Sequence, residues 1–179
     1  MADHLLLVGM MGAGKTTVGR LVARRLGRPF RDSDEEVLAR TGRTIPEIFH
    51  RYGEAAFRAE ERMVLASALC AGVPSVIAVA GGAVLDPDSR RRIRRNGATI
   101  WLRASPLTLS KRVGTGLGRP LLEHDPLGML AKLDAARRPV YRELADAVVD
   151  VDRSRPLQAT DRVVRLARAI LDASCRTAA

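Results

Sequence analysis

The chain is poor in cysteine, lysine and aromatic residues, and it has no long hydrophobic run. Its two cysteines, Cys70 and Cys175, are too far apart in sequence to suggest a disulfide framework or a metal-ligand pattern. The longest uncharged apolar stretches, 5–13 and 73–85, fall well short of the ~20 residues that cross a membrane. Residues 1–4 carry no basic export signal. We therefore expect a cytoplasmic protein with no membrane partner.

Basic residues outnumber acidic residues by 30 to 20, and only three of the basic residues are lysines. A basic excess can serve nucleic-acid binding. Aromatic residues make up only 3% of the chain, however, which leaves few side chains on which bases could stack. The arginine run 90–95 has the pattern of a solvated helix face. We expect arginines that are solvated or that bind small phosphorylated or carboxylated ligands, and no nucleic-acid partner.

The length of 179 residues, with 46% apolar and 28% charged residues, is typical of one globular domain. Short apolar runs alternate with amphipathic stretches, which predicts an α/β fold with a parallel sheet covered on both faces. We predict strands at 4–9, 29–32, 75–79, 98–102 and 147–151. We predict helices at 15–26, from a capping box at 44–47, at 54–71 and at 159–173.

The segment 113–125 departs from this alternation. It holds three glycines, a proline and an arginine, with little apolar periodicity. A long irregular segment in a compact domain is often a mobile lid over a binding site. We predict such a lid here.

A phosphate-binding motif follows the first predicted strand. Residues Gly9–Thr16 fit the pattern G-x-x-x-x-G-K-[ST], and the next predicted helix begins at Lys15. Glycines let backbone N–H groups surround a polyphosphate, and the helix N-terminus adds its dipole. Lys15 would reach the β- and γ-phosphates, and the hydroxyl of Thr16 would bind Mg²⁺. The sequence thus predicts ATP as a co-substrate with Mg²⁺.

The phosphoryl acceptor is less directly marked. No guanine-reading N-K-x-D is present, and Ala80-Gly81-Gly82 follows the third strand where an acidic metal ligand could stand. Asp32 and Asp34 follow the second strand. One could face the metal through water while the other faces an acceptor hydroxyl. Alternatively, both could simply cap the following helix.

At this point the residues resemble a known family. The resemblance covers roughly residues 4–170 and is carried by a series of motifs that occur in order: Gly9–Thr17, Asp32-Ser33-Asp34, Thr41–Ile45, Phe49, Gly53–Arg58, Gly81-Gly82-Ala83, Arg119–Leu122 and Arg137–Tyr141. In this set the chain is similar to the shikimate kinases.

The resemblance implies a three-layer P-loop kinase fold. Its five-stranded parallel sheet would have the order 2-3-1-4-5, with helices on both faces and a mobile ATP lid. The chain would form a single domain over 1–179, with a core at about 4–173, a substrate-binding segment at about 33–61 and the lid at about 113–125. The implied reaction is phosphorylation of the 3-hydroxyl of shikimate by ATP.

The resemblance also implies a role for individual residues. Lys15, Asp34 and Arg119 would be catalytic, with Asp34 also holding the shikimate hydroxyls and Arg119 closing with the lid onto the transferring phosphoryl group. The remaining residues would bind ligands: the nucleotide by Gly12, Ala13, Gly14, Thr16, Thr17, Arg112 and Arg155, shikimate by Arg58, Gly81, Gly82 and Arg137, and Mg²⁺ by Thr16 and, through water, Asp32.

Several residues have a second interpretation. Arg58 could instead pair with Glu54 or Glu61 at helical spacing. Either Arg137 or Arg138 could enter the pocket. Phe49 and Phe57 could line the pocket or fill the core, and we expect the core.

Further features of the sequence bear on the assignment. The three histidines show no metal spacing and are expected on the surface. Ala80 stands where the family usually has a third glycine, and its methyl group could crowd the strand end. The alternatives to a shikimate kinase are a gluconate-type or other small-polyol kinase and, more remotely, a nucleotide-sensing regulator. A monomer is expected at this size.

Overall fold

The computed structural model describes residues 4–115, 120–122 and 125–177. Its five strands form one parallel sheet in the order β2-β3-β1-β4-β5, as the resemblance implied. The strands are β1 (His4–Val8), β2 (Phe30–Asp32), β3 (Val76–Ala78), β4 (Gly97–Arg103) and β5 (Ala147–Asp150). All five predicted strands are confirmed, and each of their ends lies within one residue of the prediction.

Seven α-helices connect and follow these strands within the described ranges: α1 (Lys15–Leu26), α2 (Ser33–Thr41), α3 (Ile45–Leu69), α4 (Pro87–Asn96), α5 (Pro106–Val113), α6 (Pro126–Leu144) and α7 (Pro156–Thr177). The prediction for α1 has the observed bounds. No described helix has the length and hydropathy to span a membrane.

The central strand β1 is buried along its whole length, because β3 and β4 flank it and helices cover both faces of the sheet. Its leucines pack into the main core, where Leu6 lies in register with Ile77 and Thr99. A run that is apolar at consecutive positions is what a strand buried on both faces requires. The strand therefore ends in a fixed position, from which the phosphate-binding motif starts.

Helix α3 begins with the predicted capping box. Thr44 accepts a hydrogen bond from the backbone N–H of Glu47, and the Glu47 carboxylate accepts one from the N–H of Thr44 at 2.7 Å. The backbone leaves helical geometry at Gly53, with φ 80° and ψ 172°. These values kink α3 into a short first segment and a longer second one, and the second matches the helix predicted at 54–71 except that it ends at Leu69.

A second, smaller apolar cluster lies beside the main core. It consists of Val37, Ile48, Phe57 and Val64, with Ile45 and Phe49 packed against it. These residues lie on α2 and α3, so the predicted substrate-binding segment has its own apolar support.

His4 is a correction to the sequence analysis. The prediction that all three histidines lie on the surface is wrong for His4, which is fully buried at the start of β1, while His50 is exposed and His124 lies outside the described residues. The His4 Nδ1 accepts a hydrogen bond from the N–H of Ser75 at 3.1 Å, and its Nε2 has no hydrogen-bond partner. Burial lowers the pKa of this imidazole.

Candidate active site

The predicted phosphate cradle is the loop between β1 and α1. Gly12 and Gly14 have φ values of 81° and 91°, a region that side chains other than glycine rarely adopt. A β-carbon at Gly12 would also come within 2.9 Å of Val113. The loop conformation therefore requires these glycines, and Gly14 leads directly into the N-terminus of α1.

Lys15 lies across this loop. Its ammonium group donates hydrogen bonds to the carbonyls of Gly9 at 2.9 Å and Met10 at 3.2 Å. The cation is thus held at the mouth of the cradle, where a phosphate group could replace these carbonyl acceptors.

Asp32 connects the end of β2 to both the cradle and α2. Its Oδ2 accepts a hydrogen bond from the Thr16 hydroxyl at 2.7 Å, and its Oδ1 accepts one from the N–H of Asp34 at 3.0 Å. Asp32 is the N-cap of α2, so the capping interpretation holds for this residue. It does not exclude the metal interpretation, because a different oxygen of the same carboxylate faces Thr16.

The Thr16–Asp32 pair tests whether a divalent metal fits. The Thr16 hydroxyl oxygen and an Asp32 carboxylate oxygen lie next to each other in the lining of the cavity. Oxygen atoms of this kind are the ligands that Mg²⁺ prefers. Among the described residues, no group of three His, Cys, Asp or Glu side chains could hold a metal without other ligands. The donor set therefore fits a metal that reaches the site with nucleotide phosphates, and not a metal site made by protein alone.

Arg58 is held by two carboxylates. Its Nη1 donates to Glu61 Oε2 at 2.5 Å, and its Nη2 and Nε donate to Glu54 Oε1 at 2.7 and 3.1 Å. Both pairings considered from the sequence are thus present, and Arg58 still lines the cavity. Burial disfavours its charge, but the two carboxylates outweigh that effect and raise the pKa of Arg58.

Glu61 is a site residue that the sequence analysis did not assign. Its carboxylate is buried, and burial raises its pKa although Arg58 and Arg137 act in the opposite direction. The only sequence signal was its position three residues after Arg58, which is common to many surface ion pairs.

Arg137 enters the pocket and Arg138 does not. Arg137 is 2% exposed and lines the cavity, whereas Arg138 forms an ion pair with Asp134. The Arg137 Nε is buried without a hydrogen-bond partner. A β-carbon at Gly81 would lie 2.9 Å from Arg137 Nη1, so the guanidinium packs directly over that glycine.

An apolar wall completes this end of the cavity. Ile45 and Phe49 come from the segment of α3 before the kink, and Phe57 comes from the segment after it. The rings of Phe49 and Phe57 pack with centroids 4.9 Å apart. These aromatic residues therefore line the pocket as well as the small apolar cluster, which the sequence analysis treated as alternatives.

The opposite end of the cavity contains Arg112. Its Nη2 donates to the carbonyl of Val151 at 2.5 Å, and its Nη1 donates to the carbonyl of Gly12 at 3.4 Å. Arg155 and Pro156 line the cavity beside it. This side chain joins the phosphate loop to the loop that follows β5.

One cavity of about 850 Å³ contains all of these parts. It is lined by every predicted site residue that the structure describes, namely Gly12, Ala13, Gly14, Lys15, Thr16, Thr17, Asp32, Asp34, Arg58, Gly81, Gly82, Arg112, Arg137 and Arg155. Arg119 lies outside the described residues, as do other parts of the predicted lid. Ala80 also lines the cavity, and it is 5% exposed.

The chain is similar to known proteins in both sequence and structure. The sequence model of the shikimate kinase family matches residues 11–168. A shikimate kinase from Symbiobacterium thermophilum is 52% identical over 158 residues, which are 87% of this chain and 90% of the relative. Another from Thiobacillus denitrificans is 51% identical over 153 residues, which are 84% of this chain and 82% of the relative.

The solved structures give a consistent result. A shikimate kinase from Acinetobacter baumannii in complex with shikimate superimposes with a TM-score of 0.88 at 36% identity. The superposition covers 96% of this chain and 94% of the other.

Proposed function

Because the chain belongs to the shikimate kinase family, we propose that it transfers the γ-phosphoryl group of ATP to the 3-hydroxyl of shikimate, giving 3-phosphoshikimate and ADP. The observation that carries this proposal is the arrangement of charges in the cavity described above. The phosphate loop with Lys15 forms one part, and two mostly buried arginines, Arg58 and Arg137, lie with Asp34 in another.

The arginines would select the acceptor. A planar guanidinium can donate two parallel hydrogen bonds to a carboxylate, which the ammonium of a lysine cannot do. Arg58 and Arg137 would together hold the carboxylate of shikimate, and the absence of side chains at Gly81 and Gly82 would leave room for these guanidinium groups. A neutral polyol acceptor would leave the buried Arg137 guanidinium without an anion, whereas Arg58 already pairs with Glu54 and Glu61.

Asp34 would act on the acceptor hydroxyl. It is exposed to the cavity in the first turn of α2, a position fixed by the N-cap hydrogen bond from its own N–H to Asp32. Its carboxylate would hold the shikimate hydroxyls and orient or deprotonate the one that attacks. Phosphoryl transfer depends mainly on positioning and on cations around the transferred group, so this role is sufficient.

Lys15 would neutralise charge on the β- and γ-phosphates, and Arg119 would add a second cation when the lid closes. Thr16 would bind Mg²⁺ directly and Asp32 would bind it through water. When bound, the metal would screen the phosphate charges. The adenine would lie between Arg112 and the Arg155-Pro156 loop.

We further propose that the enzyme acts as a monomer in the cytoplasm.

A panel of acceptors tests the function. We expect purified protein with ATP and Mg²⁺ to release ADP when shikimate is added, and to release far less with gluconate or nucleoside monophosphates. The variants Asp34→Asn and Arg58→Ala should abolish transfer to shikimate while largely sparing nucleotide binding. Turnover on gluconate with none on shikimate would instead show a small-polyol kinase.

A further inference from the structure

Tyr141 is a buried polar residue without an assigned role. It lies on α6 one helical turn after Arg137 and is fully buried. Its ring packs against Trp101 of β4, with centroids 5.7 Å apart, and its hydroxyl donates a hydrogen bond to the carbonyl of Gly81 at 3.4 Å. A buried hydroxyl of this kind needs partners, because leaving it unpaired costs free energy.

Two further polar groups lie next to this hydroxyl: the Met10 sulfur, to which it can donate at 4.0 Å, and the Arg137 guanidinium. The guanidinium and the hydroxyl both lie over the same face of Gly81. A β-carbon at Gly81 would lie 2.9 Å from Arg137 Nη1 and 3.2 Å from the Tyr141 oxygen. A guanidinium has only donors, so toward Arg137 the hydroxyl can act only as the acceptor, and it keeps its own proton for Gly81 or Met10.

We call the part of the cavity that contains Asp34, Arg58 and Arg137 the acceptor end. Its two arginines are held in different ways. Arg58 has ion pairs with Glu54 and Glu61, whereas Arg137 forms no ion pair among the described residues. Burial raises the pKa of Tyr141 to about 12, so its hydroxyl stays neutral at physiological pH. A neutral partner fixes the guanidinium without cancelling its charge, which remains available to an anion.

We propose that Tyr141 is a positioning residue, which holds the Arg137 guanidinium in the orientation that receives the substrate carboxylate. The proposal rests on the function proposed above. Tyr141 also joins α6 to the turn after β3 through Gly81, so the guanidinium keeps its place relative to the strand end. A change in this hydroxyl should affect acceptor binding and leave the nucleotide end of the cavity unchanged.

The variant Tyr141→Phe tests the proposal, because it removes the hydroxyl and keeps the ring that packs on Trp101. We expect the KM for shikimate to rise on the order of tenfold, the cost of losing one hydrogen bond to a charged group. The KM for ATP should stay at the wild-type value. The matched control is Tyr52→Phe, since Tyr52 is the other tyrosine of the chain and is 53% exposed. It should leave both KM values unchanged.

A double-mutant cycle separates positioning from general loosening of the fold. In the Arg137→Met background, adding Tyr141→Phe should change kcat/KM for shikimate by less than about twofold, because the group to be positioned is gone. Independent effects that multiply would overturn the proposal, as would an unchanged KM for shikimate or a parallel rise in both KM values. Fluorescence of Trp101, the only tryptophan, reports whether each variant is folded.

Two further outcomes are distinguishable. If wild-type protein fails to use shikimate, the proposed function is wrong and the positioning role fails with it. If wild-type protein uses shikimate and Tyr141→Phe does not fold, Gly81→Ala reaches the same contact, because its methyl group must displace Arg137 or Tyr141. An unchanged KM for shikimate in Gly81→Ala would then overturn the positioning role alone.

Discussion

The Arg58 guanidinium occupies the space that a side chain on Gly82 would need. A β-carbon built on Gly82 overlaps the guanidinium and comes within 2.9 Å of Glu61 Oε2. The buried Glu61 carboxylate and the absence of a side chain at Gly82 together determine where this arginine can lie. The geometry of the acceptor end therefore depends on a missing methyl group.

The substitution Gly82→Ala should displace Arg58 and weaken acceptor binding. We expect kcat/KM for shikimate to fall on the order of 10²-fold, the typical cost of moving a binding group by about 1 Å. The KM for ATP should change little, because the phosphate loop is untouched. Steady-state kinetics with each substrate varied in turn would measure both effects. The control is Gly72→Ala, since nothing lies within 4 Å of a β-carbon there, and equal losses in the two variants would contradict the prediction.

The substitution Lys15→Met should remove activity with every acceptor. We expect kcat to fall about 10²- to 10³-fold, because one preorganised donor to the transferred group is lost. Lys132→Met is the matched control, since Lys132 is an exposed lysine on α6. ADP release measured at saturating shikimate would show the difference. Substantial residual activity in Lys15→Met would mean that the loop is not the phosphate cradle.

The substitution Asp32→Asn separates the two roles of this residue. An asparagine caps a helix about as well as an aspartate, so α2 should keep its N-cap and the melting temperature of the protein should be unchanged. The Mg²⁺ concentration needed for half-maximal activity should rise about 10- to 100-fold, as for other residues that orient metal ligands. Asp86→Asn is the control, because Asp86 caps α4 in the same way through Ser89. A metal requirement equal to that of the wild type would leave Asp32 with the capping role only.

The buried imidazole of His4 predicts a pH dependence of stability. Its pKa in the folded state is lowered by burial, so the unfolded chain binds a proton at a higher pH than the folded chain. The contribution of neutral His4 to the free energy of unfolding is complete above the unfolded-state pKa of about 6.5. It is lost as the pH falls through the lower pKa of the folded state. Urea unfolding at pH 8 and pH 5 measures the loss.

Two histidine variants check this assignment. His4→Asn should lose less stability between these pH values than the wild type, because the amide oxygen can accept from Ser75 and does not titrate. His50→Asn replaces an exposed histidine and should behave like the wild type. The same pH dependence in all three proteins would show that His4 does not cause it.

Helix α6 shows where prediction from the sequence failed. Its buried positions, Leu130, Asp134, Arg137, Tyr141 and Leu144, follow helical spacing, but two of the five are charged. The sequence pattern predicts no element over residues 126–144, because the buried charged positions that line the pocket interrupt the apolar periodicity. Strands β1, β3 and β5 were predictable for the opposite reason, since each contains a continuous apolar run.

The part of the site that could be predicted from the sequence is the phosphate loop, because its motif occurs in one structural setting. The phosphate loop needs a strand before it and a helix after it, and both were visible in the sequence. Glu61 and Tyr141 were not predictable, because their roles depend on which groups the fold brings next to Arg58 and Arg137. Sequence spacing also left the choice between Arg137 and Arg138 open, and burial of the former resolved it.

The kink at Gly53 lets two segments of α3 contribute to one apolar wall. The segment before it supplies Ile45 and Phe49, whereas the segment after it supplies Phe57 beside Arg58 and Glu61. The Phe57 ring packs on Phe49, and its centroid also lies 5.2 Å from the Arg58 guanidinium. A substitution at Phe57 would therefore disturb the apolar wall and the arginine together, so the shape and the charge of the pocket cannot be altered independently at that position.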